Sequence, residues 1–200
     1  MDLHGKRVIL CSNSPRRQEL ISALCIDFEV DTNTDFEERF NPGTPFDEVP
    51  ALMSRGKSLG FHRALGPDEI LLTADTLVIL PGTGNHPGEI LGKPHGREDA
   101  VRMLQDLSGR THHVITGVTL RSRNREVTFS DRTEVTFKGL TPEEIAFYVD
   151  TCRPYDKAGA YGVQEWIGMV GITKIEGSYF NVVGLPVHRV WEALQGFLPD

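Results

Sequence analysis

Close to the N-terminus stands ILCSNSPRRQEL, residues 9–20, where an apolar run passes through a polar turn into a predicted helix. Residues 8–11 are uniformly apolar, which is typical of a buried strand, and the apolar residues after the turn recur at helical spacing. Ser14 before Pro15 predicts the helix start, because a serine oxygen can cap backbone N–H groups and proline suits the first helical position. The other elements are organised around this strand, turn and helix.

Two arginines occupy the first turn of this helix. Arg16 and Arg17 lie where the helix dipole is positive and cations are disfavoured, a conflict that a bound anion would resolve. Backbone N–H groups, the hydroxyls of Ser12 and Ser14, and two guanidinium groups together would make a phosphate cradle. The alternative is a solvated arginine pair on a surface helix.

Composition limits the classes of function. The 200 residues are 39% hydrophobic, which suits a packed core, and their net charge of −7 argues against a general nucleic-acid-binding protein. The three cysteines, Cys11, Cys25 and Cys152, are widely spaced and form no CxxC pair, so we expect buried free thiols and neither a disulfide framework nor a zinc site.

The chain shows no apolar run long enough to span a membrane, and its first residues precede no hydrophobic signal core. We therefore expect a cytoplasmic protein without a membrane partner. Any phosphate chemistry would depend on local groups of cations, since the whole chain is acidic.

The clearest strand covers residues 70–80 and contains one carboxylate, Asp75. Its apolar character predicts a central position in a sheet. A carboxylate there is costly to bury unless it is paired, protonated or bound to a metal, so a functional role is favoured. A break or bend at Asp75-Thr76 would bring the carboxylate to the end of the sheet. We expect a loose hairpin loop over 81–88 and a return strand over 89–91.

Further charged candidates stand between these elements. Glu38 belongs to an acidic loop over residues 31–45, and such loops are usually only solvated. Lys57 lies beside the apolar face of a helix predicted over 49–65, where it either reaches across the edge or snorkels into solvent. Lys93 is a second candidate phosphate ligand. The buried face of that helix is predicted to comprise Leu52, Met53, Gly56, Leu59 and Gly60.

The second half of the chain alternates helices and strands. We expect a helix that ends at Ser108-Gly109, strands over 114–120 and 127–137, a helix started by the Thr141 capping box, strands over 172–175 and 180–183, and a last helix from Val187. His112 and His113 would point to opposite faces of a strand, so they cannot easily share one metal.

Residues 156–164 form a glycine-rich polar loop of the kind that often binds ligands. The absence of linkers and repeats predicts one domain over 1–200, with two lobes around a cleft.

Taken together, these motifs resemble the Maf family of nucleoside triphosphate pyrophosphatases over nearly the full length. Six motifs in order make the resemblance specific. They are Ser12-Asn13-Ser14-Pro15-Arg16-Arg17-Gln18-Glu19-Leu20, Ala74-Asp75-Thr76, Leu91-Gly92-Lys93-Pro94, Leu107-Ser108-Gly109 with His112 and Thr116-Gly117-Val118, Asp156-Lys157-Ala158-Gly159-Ala160-Tyr161-Gly162-Val163-Gln164, and Gly177-Ser178-Tyr179 with Val183-Gly184-Leu185-Pro186.

The resemblance implies an α/β fold of the Maf/ITPase-like kind, with a mixed, twisted sheet flanked by helices and two lobes around a deep cleft. It implies a homodimer that cleaves a nucleoside triphosphate between the α and β phosphates, releasing a monophosphate and pyrophosphate. The form of the loop over 156–162 is similar to the branch of the family that acts on dTTP and UTP.

The resemblance also implies roles for particular residues. Asp75 would be the general base, and a divalent cation (Mg²⁺, Mn²⁺ or Co²⁺) would face the carboxylates of Glu38 and Asp75. The specificity positions would be Arg16, Thr76 and Gln164, with Gln164 and Thr76 reading the polar edge of a pyrimidine. The substrate-binding positions would be Ser12, Arg17, Glu38, Lys57 and Lys93.

Four positions depart from the family pattern: Cys11 for alanine, Thr73 for glycine, and Glu165-Trp166 for small residues after Gln164. Other functions stay open beside the main one. They are a house-cleaning pyrophosphatase for other modified nucleotides, a nucleotide-binding regulator of cell division, and a phosphomonoesterase that would release free phosphate.

Overall fold

A computed structural model describes residues 3–41, 43–82 and 88–198 of the chain. Its strands are β1 Arg7–Cys11, β2 Phe28–Val30, β3 Glu69–Leu80, β4 Glu89–Leu91, β5 Thr111–Arg121, β6 Glu126–Phe137 and β7 Ile172–Glu176. Its α-helices are α1 Pro15–Ala23, α2 Val49–Leu59, α3 Arg97–Leu107, α4 Pro142–Cys152, α5 Trp166–Gly171, α6 Tyr179–Val183 and α7 Val187–Gln195, and a 3₁₀ turn covers Ala158–Ala160. None of the helices within the described residues combines the length and apolar character needed to cross a bilayer.

The strands form one mixed sheet in the order β2-β1-β3-β5-β6-β7, with β4 paired to β3. Strand β1 runs parallel to β2 and β3, whereas the β3–β4 and β6–β7 pairs are antiparallel. The predicted mixed α/β fold is therefore confirmed, as is the central position of β3. The predicted hairpin pairs Val78 with Leu91, while residues 83–87 of its loop lie outside the described residues.

The opening strand-turn-helix is present, but its helix start differs in one detail. Helix α1 begins at Pro15 as predicted, yet no α1 backbone N–H donates to the side chain of Ser14. Instead, the Ser14 backbone N–H donates to Oγ of Ser12 at 3.3 Å. The Ser12 hydroxyl thus organises the turn, and the predicted serine cap is wrong.

Helix α2 is shorter than predicted and buries a narrower face. It ends at Leu59, and Leu52 and Leu59 are 46% and 56% exposed, whereas Met53 is buried. The predicted close packing at Gly56 and Gly60 is confirmed, because a Cβ at Gly56 would lie 2.1 Å from the Phe36 ring. Phe36 packs against the two glycines, whereas Leu52 and Leu59 are exposed to solvent.

The predicted strand over 180–183 is wrong. This segment forms α6, whose buried Asn181 donates from Nδ2 to the Val114 carbonyl and to Oγ1 of Thr133, each at 3.0 Å. A short apolar run does not distinguish strand from helix by periodicity. Here a buried amide, which needs partners, holds the helical turn in place.

Strand β3 runs without a break through Asp75 and Thr76, so the carboxylate stands within the strand. Of the three thiols expected to be buried, Cys11 is buried, Cys152 is half-buried and Cys25 is exposed. Elements confirmed as predicted include α3, α4 with its Thr141–Glu144 capping box, β7 and α7.

The chain divides into two compact units. The first unit comprises Met1–Asp75, Thr116–Asp131 and Gly184–Asp200, and its core includes Leu10, Ile21, Ile70 and Val190. The second unit comprises Thr76–Ile115 and Arg132–Val183, and its core includes Leu91, Leu104, Tyr148 and Val149. The single domain and the cleft expected from the sequence stay predictions.

Candidate active site

The first unit brings together one lysine and two of the predicted carboxylates. Nζ of Lys57, on α2, lies 2.6 Å from Oδ1 of Asp75 on β3 and 2.7 Å from Oε1 of Glu38. The side chains of Lys57 and Asp75 are only 16% and 15% exposed, whereas Glu38 is 63% exposed. Asp75 is therefore paired at its position within β3. The ion pair with Lys57 offsets the cost of burying the carboxylate.

Arg17 links the turn after β1 to the strand that carries Asp75. Its Nη1 donates to Oγ of Ser12 at 3.2 Å and to the carbonyl of Ala74 at 2.9 Å, while its Nε donates to the carbonyl of Gly184 at 2.9 Å. Burial lowers the pKa of Arg17, and nearby Asp75 counteracts that shift. These bonds make Arg17 a support for the site as well as a source of positive charge.

Arg16 precedes Arg17 in the first turn of α1 and is half-buried. Its positive charge is one of the influences that lower the pKa of Arg17, so the two guanidinium groups are close enough to repel each other. Together with Lys57, the two arginines bring three cations close to the two carboxylates of Glu38 and Asp75, so cations outnumber carboxylates by one in this part of the first unit.

The remaining predicted residues belong to the second unit. Thr76 is half-buried in β3, Lys93 is exposed just after β4, and Gln164 is half-buried in the loop before α5. Within the described residues, the Gln164 side-chain oxygen is buried and has no hydrogen-bond partner. A buried acceptor without a donor is costly, so this atom is suited to a donor from a ligand.

Gln164 lines a groove of about 450 Å³ in the second unit. Apolar and aromatic side chains supply much of its wall, including Met169, Ile172, Ile175 and Tyr179. The groove therefore combines a mostly apolar wall with the amide side chain of Gln164.

His112 and His113 have different partners, as expected for neighbours on a strand. The buried His112 has Nε2 2.7 Å from the Tyr161 hydroxyl, while Nε2 of His113 lies 2.8 Å from Nη2 of Arg132. His112 is therefore part of the core of the second unit. Burial lowers its pKa to about 3, so the imidazole stays neutral there.

Hydrogen bonds and an ion pair join Tyr148, Glu165 and Lys157 next to Gln164, and none of the three is a site residue predicted from the sequence. In the sequence, Lys157 belongs to the glycine-rich loop over 156–164 and Glu165 to a departure from the family pattern, whereas nothing singles out Tyr148. Their contacts depend on where the Tyr148 hydroxyl and the charged groups of Lys157 and Glu165 point, which a sequence pattern does not show. Helical periodicity shows that a tyrosine is buried but not where its hydroxyl points.

The structure thus defines a mixed α/β protein that holds a lysine–carboxylate cluster beside two arginines at a helix start. A family model described as Maf-like protein matches residues 7–197, and the chain belongs to the Maf family. The resemblance predicted from the motifs is confirmed.

Curated relatives carry one functional name. Proteins named dTTP/UTP pyrophosphatase from Bacteroides fragilis and Porphyromonas gingivalis are 47% and 46% identical over 194 and 198 residues, covering 97% and 98% of this chain and 97% and 96% of theirs. A protein of the same name from Flavobacterium johnsoniae is 43% identical and covers 94% of this chain and 93% of its own. The Ham1 protein of Staphylococcus aureus aligns at 14% identity with a TM-score of 0.48, over 96% of this chain and 100% of its own, which is too distant to bear on function.

Proposed function

We propose that this protein hydrolyses dTTP and UTP between the α and β phosphates, releasing the nucleoside monophosphate and pyrophosphate. The observation that carries the proposal is the Asp75 carboxylate, held 2.6 Å from the Lys57 ammonium group in the largely buried central strand β3. The activity named for relatives that match nearly the whole chain supports the choice of substrates.

In the proposed reaction, Asp75 accepts a proton from a water molecule that attacks the α phosphorus. A positioned carboxylate of this kind is a suitable general base. Lys57 orients Asp75 through their ion pair and offers its third N–H group to the phosphates, since the other two face Asp75 and Glu38. The pyrophosphate that leaves carries the extra negative charge, so nearby cations lower the barrier.

Arg16, Arg17 and Lys93 are the further cations proposed for the phosphate chain. Ser12 would donate from its hydroxyl, whose oxygen already accepts from Nη1 of Arg17. Because Arg17 is bonded to the backbone at Ala74 and Gly184, its charge stays in place whether or not substrate is bound. Such preorganisation reduces the cost of binding a polyanion.

A divalent cation (Mg²⁺, Mn²⁺ or Co²⁺) fits the donor set of Glu38 and Asp75. Both carboxylates already face one cation, the Lys57 ammonium group, and hard metal ions prefer such oxygen ligands. The described residues contain no group of three or more His, Cys, Asp or Glu side chains able to hold a metal. Two carboxylates suit Mg²⁺ that is also bound by substrate phosphates, where it would neutralise phosphate charge.

Gln164 and Thr76 are proposed to read the pyrimidine base. The buried Gln164 oxygen would accept from N3–H of thymine or uracil, which supplies the donor that this oxygen lacks within the described residues. Cytosine has no N–H at that position, so the same atom would disfavour CTP.

The proposal is tested by incubating the purified protein and Mg²⁺ separately with dTTP, UTP, CTP, GTP and methylated GTP. Chromatography would follow monophosphate, pyrophosphate and free phosphate. We expect pyrophosphate from dTTP and UTP and little from the others. Free phosphate as the first product, or turnover chiefly of another base, would contradict the proposal.

Asp75→Asn tests the proposed base. We expect kcat for dTTP to fall by about 10²- to 10⁴-fold, the usual contribution of a general base, with an unchanged circular dichroism spectrum. Asp150→Asn is the matched control, because it removes an exposed carboxylate that is ion-paired with Arg97 at 2.6 Å. A near-normal rate for Asp75→Asn would exclude Asp75 as the base.

We further propose that the protein is a cytoplasmic homodimer with no nucleic-acid or membrane partner. The homodimer follows from the family resemblance, and the acidic net charge of −7 supports the absence of nucleic-acid binding. Light scattering on the purified protein measures the oligomeric state directly.

A further inference from the structure

Gln164 lies in a four-residue turn, and the conformation of that turn determines where its amide stands. The backbone N–H of Glu165 donates to the carbonyl of Gly162 at 3.0 Å, which closes a turn over residues 162–165. Gln164 is the third residue of this turn. Helix α5 starts directly after it, since the Gly168 and Met169 backbone N–H groups donate to the Glu165 carbonyl.

One phenol oxygen fastens both ends of the turn. The Gly162 backbone N–H donates to the Tyr148 hydroxyl oxygen at 3.0 Å, and the Tyr148 hydroxyl donates to Oε2 of Glu165 in a short hydrogen bond. Tyr148 projects from α4 and its side chain is fully buried in the core of the second unit. A rigid, buried ring therefore ties the turn to the core.

The second oxygen of Glu165 is held as well. Its Oε1 lies 3.0 Å from Nζ of Lys157, whose side chain is 10% exposed and also contacts Oδ1 of Asp156 at 2.7 Å. The Glu165 side chain is 25% exposed, so its charge needs this partner. A phenol and an ammonium group thus hold the carboxylate at both oxygens.

Two glycines leave space for this arrangement. A Cβ on Gly162 would lie 2.8 Å from Cδ of Glu165, and a Cβ on Gly168 would lie 2.0 Å from the carbonyl oxygen of Val163. Side chains at these positions would displace the carboxylate or the turn. The absence of side chains at Gly162 and Gly168 therefore allows the Glu165 carboxylate and the turn to pack as they do next to Gln164.

We propose that Tyr148 and Glu165 are positioning residues for base selection, because together they hold the turn that presents Gln164. This inference rests on the proposed function. Neither residue needs to touch the substrate. An unanchored glutamine could rotate and pair its buried oxygen elsewhere, whereas an anchored turn keeps that oxygen directed at the ligand and reduces the entropy lost on binding.

The main test is Tyr148→Phe, which keeps the ring and removes the hydroxyl that joins both ends of the turn. We expect KM for dTTP to rise roughly five- to tenfold, with kcat within about twofold, because one or two positioning hydrogen bonds are lost. The preference for dTTP over CTP, as the ratio of kcat/KM, should fall by a similar factor. The inhibition constant of inorganic triphosphate, which has no base, should stay unchanged.

Glu165→Gln and Glu165→Ala extend the test and cover the case that Tyr148→Phe does not fold. The glutamine retains an acceptor for Tyr148 but loses the charge facing Lys157, so its selectivity should lie nearer the wild type than that of Glu165→Ala. Thr141→Ala is the control, since it removes the cap of the same helix, α4, without touching the turn. It should lower stability and leave the selectivity ratio unchanged.

The outcomes separate the inference from the function on which it rests. A wild-type protein without turnover of dTTP or UTP would overturn both. Normal wild-type turnover, with the dTTP preference of folded Tyr148→Phe or Glu165→Ala unchanged, would overturn the positioning role alone. An equal loss of selectivity in Thr141→Ala would also overturn it, because general destabilisation of α4 would then explain the effect.

Discussion

Lys57 contacts two carboxylates at once, Asp75 at 2.6 Å and Glu38 at 2.7 Å. The sequence left two interpretations of this residue, a group that reaches across the helix edge and a snorkelling surface lysine. The contacts with Asp75 and Glu38, and the 16% exposure of its side chain, support the first. The side chain of Lys57 reaches across the edge of α2 because its ammonium group forms ion pairs with both carboxylates there.

Lys57→Met is predicted to lower the free energy of unfolding by about 1–3 kcal/mol in the absence of metal, since it removes the ammonium group that lies 2.6 Å from the largely buried Asp75 carboxylate. Mg²⁺ should then raise the melting temperature of the variant more than that of the wild type, because the cation takes the place of the ammonium group. Thermal unfolding with and without Mg²⁺ measures both effects.

The double variant Lys57→Met with Asp75→Asn is the control for this metal effect. It lacks one of the two carboxylates, so its melting temperature should respond less to Mg²⁺ than that of Lys57→Met. An equal response in the two variants would mean that the metal binds elsewhere.

At the scale of elements, β5 and α2 approach each other closely in the first unit. A Cβ on Gly117 would lie 2.2 Å from the carbonyl group of Pro50, where backbone meets backbone. Sequence patterns predicted both elements but not this contact, because a lone glycine in a strand does not show what approaches it. Neighbouring side chains can rotate away from an added atom, whereas backbone held in a helix and a sheet cannot.

Gly117→Ala is therefore predicted to lower the free energy of unfolding by roughly 2–3 kcal/mol through overpacking. Gly139→Ala is the matched control, since no atom lies within 4 Å of its added Cβ, and its effect should stay within about 0.5 kcal/mol. Urea unfolding of both variants measures the difference. Equal stabilities would show that the strand and helix can separate at little cost.

At the scale of the whole molecule, stability should depend on pH through a buried histidine. Burial and the nearby His113 lower the pKa of His112 from 6.5 to about 3, so the folded protein keeps this imidazole neutral while the unfolded chain binds a proton below pH 6.5. Its contribution is fully present above that pH and is lost as the pH falls toward 3. The Arg63 guanidinium group holds the pKa of Glu69 below its usual range, which adds a further loss at lower pH.

His112→Gln is predicted to flatten this dependence. Between pH 6 and pH 4, the wild type should lose about 2 kcal/mol more stability than the variant, since one group contributes up to about 1.4 kcal/mol per pH unit. The glutamine can still accept from the Tyr161 hydroxyl. Tyr161→Phe, which removes that hydrogen bond but keeps the imidazole, should retain the wild-type slope, and parallel curves for wild type and His112→Gln would contradict the prediction.

Local patterns in the sequence by themselves determined the opening strand-turn-helix, the central strand β3, most helix starts and the family. These features depend on spacing and on turn residues within a few positions of one another. The errors fell where local patterns are ambiguous, as at α6, where a short apolar run fits either a strand or a helix until Asn181 finds its buried partners.

Only the tertiary structure decided which polar groups meet. Arg17 bonds to the carbonyls of Ala74 and Gly184, Lys57 joins Asp75 to Glu38, and Tyr148 joins Gly162 to Glu165. Several of these partners are far apart in the chain. Burial requires each polar group to have a partner, but the packing of the elements selects which one, and that choice has no local sequence signal.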